Sequence, residues 1–319
     1  MVKMACLPNA SAIVQHWRGC PNGDWAVHAA ADPAIVARWP KPVLVNVGAN
    51  KGYAAAAFLA LYSQRSVNPR VWHARILDYA RRGVRRHGFL STQACGACGA
   101  CRTWRPAAVP RRDGGRVELL ELLDANRALL RNLTAATGIA DVARVHDLAA
   151  SNVTHKIYSK KGKAGVEFMS AQEATSEHPA NLEAVALDDF FARESLGEVF
   201  FVAIDTEGSD ALVLEGMRAT LRAGRVGFLE FEVGRNKGYW RPTSPDRRTI
   251  GATVGWLGDA GYRCFMEAGR NLAPIGGACW HEKFDAVGWA NVLCARSGAE
   301  AELLDRVARR EKLRGVKSR

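Results

Sequence analysis

A glycine-spaced run, Gly48-Ala49-Asn50-Lys51-Gly52, follows the short apolar segment Val43–Val47 and leads into an alanine-rich stretch ending near Tyr62. This order of strand, turn and helix lets backbone approach a ligand closely. Glycine puts no side chain in the way, and a helix start offers N–H donors. Glycine also ends many buried strands for steric reasons alone, so the turn gains force only with Glu121. At the tip of the next apolar segment, that carboxylate is placed to accept hydrogen bonds from both hydroxyls of a ribose lying over the turn. Gly48 and Glu121 are 73 positions apart, where about 20 is usual. Removing the 53 residues of 63–115 restores 20. The competing reading of Glu121 is a surface carboxylate on a frayed strand end.

A second group with metal-ligand spacing lies inside that segment. Cys95, Cys98 and Cys101 have two residues between neighbours. Thiolates so spaced can wrap one zinc ion, with the fourth ligand drawn from His87, Cys6, Cys20 or water. A redox pair, or reduced thiols in a loop, are the alternatives. Cys264, Cys279 and Cys294 fall in or beside apolar runs and read as buried thiols, with no disulfide scaffold expected.

The elements that must position these groups alternate between strand-like and helical patterns. Strands are expected at Val43–Val47, Val117–Leu122, Val142–Leu148, Phe200–Ile204, Val226–Glu232, Tyr262–Met266 and Val287–Cys294. That pattern is α/β: a doubly wound, mostly parallel, seven-stranded sheet, with ligands beyond the carboxyl ends of its strands. Residues 63–115 stand outside the rhythm as an Arg/Cys-rich insertion with a helix near Trp72–His87, and Val153–Met169 reads as a hairpin. The organisation expected is an N-terminal extension (1–40), one catalytic domain (41–298) and a basic C-terminal helix or tail (299–319).

The chain is 48% hydrophobic and carries a net charge of +12. Twelve arginines face two aspartates between 63 and 116, and seven Lys/Arg face two acids from 303 to 319. The rest is close to neutral. Such blocks attract polyanions or serve as solvated faces. No run reaches the roughly 18 apolar residues of a membrane span, and no compact apolar signal opens the chain, so a cytoplasmic location is expected.

Val43–Asn50 with Gly52, Glu121 with Asn126 and Asn132, Ala149–Asn152, Leu187-Asp188-Asp189-Phe190, Ile204-Asp205-Thr206-Glu207-Gly208, Leu214-Glu215-Gly216 and Gly261-Tyr262 occur in serial order. Together they resemble the FkbM-type S-adenosylmethionine-dependent methyltransferases. The resemblance implies a class I methyltransferase (Rossmann-like) sheet and S-adenosylmethionine held by Asn46, Gly48, Ala49, Asn50, Gly52, Glu121, Asp147 and Asp205. It also implies methyl transfer, usually to oxygen. Asn46 stands where the family usually has Asp, Leu122 where proline follows the ribose acid, and Ala203 where lysine precedes Ile-Asp.

Transfer from a sulfonium is an in-line displacement, so the protein mainly aligns donor and acceptor. An alcohol acceptor must also lose its proton, and a carboxylate supplies about 10²–10⁴-fold for that. Asp205, Glu207 and Glu232 are the catalytic candidates. Asp205 would act as base or acceptor-orienting group. Glu207 would be a second base or merely a helix cap, and Glu230 or Glu232 would reach the same mouth. A divalent ion bridged by Asp205, Glu207 and Glu232 is another route, which the spacing does not demand. His146 and Asp147 either flank the adenine or form a solvated turn. The expected partner is a small-molecule or glycan-like acceptor, anionic to suit the arginine-rich insertion. An RNA acceptor, or a non-catalytic binding protein on the same fold, are the competing functions.

Overall fold

The computed structural model describes residues 6, 24–65, 68–83, 114–160, 162, 172–268 and 271–316. Helices α1 (Asp24–Ala31) and α2 (Pro33–Arg38) precede strand β1 (Val43–Val47), followed by α3 (Tyr53–Tyr62), α4 (Pro69–Gly83), β2 (Arg116–Leu120) and α5 (Asp124–Ala136). Next come β3 (Ala143–His146), β4 (Leu148–Ser151), β5 (His155–Tyr158), β6 (Gln172–Glu173), β7 (Leu182–Ala186), α6 (Leu187–Arg193) and β8 (Val199–Ile204). The remainder is α7 (Asp210–Glu215), α8 (Arg218–Arg222), β9 (Val226–Val233), α9 (Ile250–Asp259), β10 (Tyr262–Ala268), β11 (Asn271–Pro274), β12 (Ala290–Arg296) and α10 (Ala299–Val316).

The main sheet runs β3-β2-β1-β8-β9-β12-β10-β11. Strands β3, β2, β1, β8 and β9 pair in parallel, whereas β12 is antiparallel to both its neighbours. Strand pleating sends alternate residues to opposite faces. Leu44 joins the core beneath Trp25, Leu59, Leu130 and Leu304, while Val45 and Val47 join the opposite core with Phe190, Leu214 and Leu257. Helices therefore cover both faces of the sheet, as parallel strands require.

Where it differs from expectation, the fold has visible causes. The sheet has eight strands, not seven. The extra one, β11, is a four-residue edge segment ending in Pro274, too short to show alternation and tolerant of proline only because it is an edge. A second sheet, β4-β7-β5-β6, flanks the first. The expected hairpin pairs β5 with β6 (Ile157↔Glu173), beyond the range that the sequence indicated. Its far arm could not be anticipated from β7, whose parallel pairing with β4 spans more than thirty positions. The helix after the fourth core strand breaks into α7 and α8 at Gly216, where a Cβ would lie 2.1 Å from the Ser151 carbonyl oxygen. The last core strand starts at Ala290, after two short 3₁₀ turns.

Two disulfides replace the expected buried thiols: Cys264–Cys294 and Cys6–Cys279. Cys264 and Cys294 are direct register partners on antiparallel β10 and β12, with Cα atoms 4.0 Å apart, a pairing that only the sheet order reveals. The Cys95/Cys98/Cys101 cluster lies outside the described residues. The helix expected near Trp72–His87 is α4. No helix among the described residues is long and apolar enough to cross a membrane.

Candidate functional site

Register brings the chemically relevant residues together. Val47 pairs with Leu120 on one side and with Ile204 on the other, so the tips of β2, β1 and β8 are level. Gly48, Glu121 and Asp205 follow those three tips directly. The Asp205 amide donates to the Val47 carbonyl at 3.0 Å, and a Cβ on Gly48 would lie 1.9 Å from the Asp205 carbonyl oxygen. Ile204 also pairs with Phe231, which sets Glu232 beside Asp205.

The glycine turn is a strained structure. Gly48, Asn50 and Gly52 all have positive φ (74°, 45° and 73°), and Asn50 is one of few non-glycine residues in that region. The amides of Gly48, Ala49, Asn50 and Gly52 are used internally rather than left as ligand donors. Gly48 and Ala49 both donate to the Leu120 carbonyl (3.0 and 3.2 Å), Gly52 donates to Ala49, and Asn50 donates to Glu121 Oε2 at 2.7 Å. The Leu123 amide donates to Glu121 Oε1 at 2.8 Å. Glu121 is thus a buried brace of the turn, not a frayed surface carboxylate. Burial pushes its pKa up, against the two amides, the Asn126 side chain and the Arg127 charge. Asn46 Oδ1 and Asn50 Oδ1 are buried without hydrogen-bond partners among the described residues. An orphaned acceptor costs free energy unless a donor meets it. A cofactor bearing an ammonium group and ribose hydroxyls supplies such donors, so the residues present fit S-adenosylmethionine.

Helix α4 is bolted to this turn. Trp72, fully buried, donates from Nε1 to the Lys51 carbonyl at 2.7 Å, and a Cβ on Gly52 would lie 2.8 Å from its ring. The Tyr53 hydroxyl lies 2.6 Å from His73 Nδ1 on the same helix. Asp147, expected near adenine, is held by Arg127 Nε (2.8 Å) and Arg131 (2.7 Å), and His146 Nε2 lies 2.8 Å from the buried Glu118.

On the other side of β1 the acids assemble. Oxygens of Asp205, Glu207 and Glu232 all lie within 4.8 Å of one another. Glu207 adopts φ +57° ahead of Gly208 at +113°. Lys237, on the loop after β9, reaches both Glu207 Oε2 and Glu232 Oε2 at 2.6 Å, and Trp289 Nε1 donates to Glu232 Oε1. Asp205 keeps surface open to solvent. Desolvation by the protein packed around its carboxyl, then the charges of Glu232, Asp210 and Glu207, hold that carboxyl well above the usual range, with Lys237 opposing. Burial likewise lifts Glu232 to about 7 against its hydrogen bond from Lys237. Glu230, further down the strand, accepts from Asn291 at 2.9 Å and is lifted to about 7 by burial.

Several residues of the site escaped sequence reading. Asp210, fully buried, accepts from Thr206 Oγ1 (2.8 Å), the Gly208 amide (3.2 Å) and the Glu232 amide (3.1 Å), tying the turn after β8 to the tip of β9. Burial raises its pKa to about 6. Its position at the start of a helical pattern was the only signal. Lys237, Trp289 and Trp72 had none, since each reaches the site through a long connection. Asp188 and Asp189 are structural. Asp188 caps α8 by accepting from the Ala219 and Thr220 amides (3.0 and 2.8 Å), and Asp189 accepts from Thr154 at 2.5 Å.

Five parallel strands ending in a tip cluster, with the antiparallel β12 inserted between β9 and β10, define the class I methyltransferase sheet. A profile of the methyltransferase FkbM domain matches residues 95–264, just over half of the chain. The chain belongs to the FkbM methyltransferase family. The profile match begins after the glycine turn, which is assigned on geometry alone. Among solved structures, a methyltransferase FkbM from Methylobacillus flagellatus KT overlays with a TM-score of 0.40 at 14% identity, covering 80% of this chain and 44% of that one. An O-methyltransferase from Bacillus cereus in complex with SAH overlays at 0.35 and 13% identity, covering 90% and 84%. A human methyltransferase 10 domain containing protein does so at 0.29 and 8%, covering 80% and 72%. The chain thus spans less than half the length of the Methylobacillus protein. No curated protein matches it.

Proposed function

We propose that this chain transfers a methyl group from S-adenosylmethionine to a hydroxyl oxygen of an anionic or glycan-like acceptor. The observation that carries the reading is the level alignment of three neighbouring strand tips. It places the Gly48 turn and Glu121 on one side of β1 and the Asp205–Glu207–Glu232 cluster on the other. Asn46, Asn50 and Glu121 would hold the cofactor, which supplies an electrophilic methyl when bound. Asp147 lies at the β3 end of the same row and would border the adenine.

As the acceptor oxygen took the methyl that the cofactor would supply, its proton would pass to a carboxylate of the chain. A base works best with a pKa near the working pH. Glu232, lifted to about 7, fills that description. Asp205, whose carboxyl pKa is raised by desolvation and by the neighbouring acids, orients the acceptor beside it. Glu207 and Lys237 fix Glu232 in place. The arginines of α4, Arg70, Arg75, Arg81 and Arg82, would draw an anionic acceptor towards the turn that their helix contacts.

The test is incubation of the purified chain with methyl-labelled S-adenosylmethionine and, separately, phosphorylated glycans, neutral glycans and RNA. Label in a base-stable ether on a phosphorylated glycan is the expected result. Label in RNA bases would replace the acceptor, and no calorimetric binding of S-adenosylhomocysteine would remove the activity altogether.

A further inference from the structure

Three carboxylates with oxygens within 4.8 Å of one another form the donor set that a divalent cation takes. Left to themselves, the charges would repel strongly. The chain already places a cation among them. Lys237 Nζ lies 2.6 Å from both Glu207 Oε2 and Glu232 Oε2, its side chain largely enclosed. An ammonium is a compact point charge with three donors, and of the basic side chains it most resembles a small cation.

The surroundings fix it there. The Lys237 amide donates to the Gly234 carbonyl at 2.8 Å, and the Tyr239 amide donates to the Gly208 carbonyl at 3.0 Å. The loop carrying Lys237 is thereby sewn to the turn carrying Glu207. A Cβ on Gly238 would lie 2.2 Å from the Gly208 oxygen, so only glycine permits the approach. The Trp289 ring lies 5.8 Å from Nζ, and its Nε1 donates to Glu232. Glu207 holds its left-handed backbone in the conformation that carries its carboxylate to the ammonium.

We propose that Lys237 stands in for a divalent cation at this site, offsetting the repulsion of the Glu207–Glu232 pair from within the chain. The inference deepens the methyltransferase reading of the same site and rests on it for its role in catalysis. Lys237 is a positioning residue: it holds the two carboxylates in one orientation, and methyl transfer proceeds without added metal.

Removing the ammonium should convert the cluster into a real metal site. Mn²⁺ titration, followed by the electron paramagnetic resonance signal of the free ion, tests this on the full chain and on Lys237→Met, Lys237→Gln, Lys237→Arg and Lys237→Met/Glu207→Gln. The wild type and Lys237→Arg should leave the free signal intact. Lys237→Met and Lys237→Gln should each take up one Mn²⁺, at least about tenfold more tightly than the wild type, and adding Glu207→Gln should abolish the uptake. If these variants lose cooperative thermal unfolding, Mn²⁺ should restore it in them. Stoichiometric uptake by the wild type, uptake that survives Glu207→Gln, or neither uptake nor rescue in the variants would overturn the proposal. Binding of S-adenosylhomocysteine to the wild type, measured alongside, reports separately on the methyltransferase reading.

Discussion

The Asn50 amide donates to Glu121 Oε2 at 2.7 Å, joining two residues 71 positions apart at the tips of adjacent strands. With the Leu123 amide on Oε1, the carboxylate gathers the glycine turn and the start of α5 onto one buried anion. Only an acceptor-only group satisfies both donors. Glu121→Gln puts an NH₂ against one of them, so it should cost about 1–3 kcal/mol of stability. It should also weaken S-adenosylhomocysteine binding by roughly tenfold or more. Urea unfolding and calorimetry read the two effects. Unchanged affinity in a folded variant would remove Glu121 from the cofactor site.

Trp72 gives the arginine-rich segment a structural duty that its composition conceals. Its indole both packs on Gly52 and bonds the Lys51 carbonyl. Trp72→Phe keeps most of the packing and removes the donor. The expected loss is about 1–2 kcal/mol, with weaker S-adenosylhomocysteine binding. Val71→Ala, exposed on the same helix, should change neither measurement.

The parts legible in the sequence are those built from local pattern. Strands β1, β2, β8 and β9 announce themselves as short, largely apolar runs, and the motif at Ile204–Gly208 marks a strand tip because glycine must follow a sharp exit. What was hidden depends on register. Nothing local to Lys237 says that its loop folds back on Gly208. The facing of Cys264 and Cys294 follows only once β12 is known to lie antiparallel between β9 and β10. Gly48 was legible as a turn but not as a turn whose amides are already spent; that depends on the Leu120 carbonyl from the neighbouring strand. Glu121 reads as a ribose acid, and its bracing role emerges only from the distance to Asn50.

The buried acids set an unusual pH dependence of stability. Asp210 is raised to about 6 and Glu230 and Glu232 to about 7, from ordinary values near 4, in each case chiefly by burial. Between about pH 4 and 7 the folded chain therefore holds more protons than the unfolded one, and stability falls as pH rises through that window. Glu183 and Glu198, lowered by hydrogen bonds from Arg193 and Arg38, act oppositely only at more acidic pH. The urea midpoint should be higher at pH 5 than at pH 7.5. Glu230→Gln, which can still accept from Asn291, should flatten the slope by up to about 1.4 kcal/mol per pH unit. A midpoint that rises from pH 5 to 7.5 would contradict the assignment.

The two disulfides among the described residues differ in access, and reduction should separate them. Exchange requires a thiolate to reach a sulfur atom. Cys6–Cys279 is half-buried beside a surface 3₁₀ turn, whereas Cys264 and Cys294 are 3% and 0% exposed within the sheet. In native buffer a small dithiol should free Cys279 for alkylation while Cys264 and Cys294 stay protected until urea opens the sheet. Peptide mapping by mass spectrometry over a time course follows both. The Cys264→Ser/Cys294→Ser chain should be destabilised by about 2–4 kcal/mol, because the cross-link ties β10 to β12. Cys6→Ser should leave the main sheet and S-adenosylhomocysteine binding intact, since Cys279 lies outside every strand of that sheet. Simultaneous alkylation of all four sulfurs under native conditions would show that β10 and β12 open as readily as the surface turn, contrary to their burial.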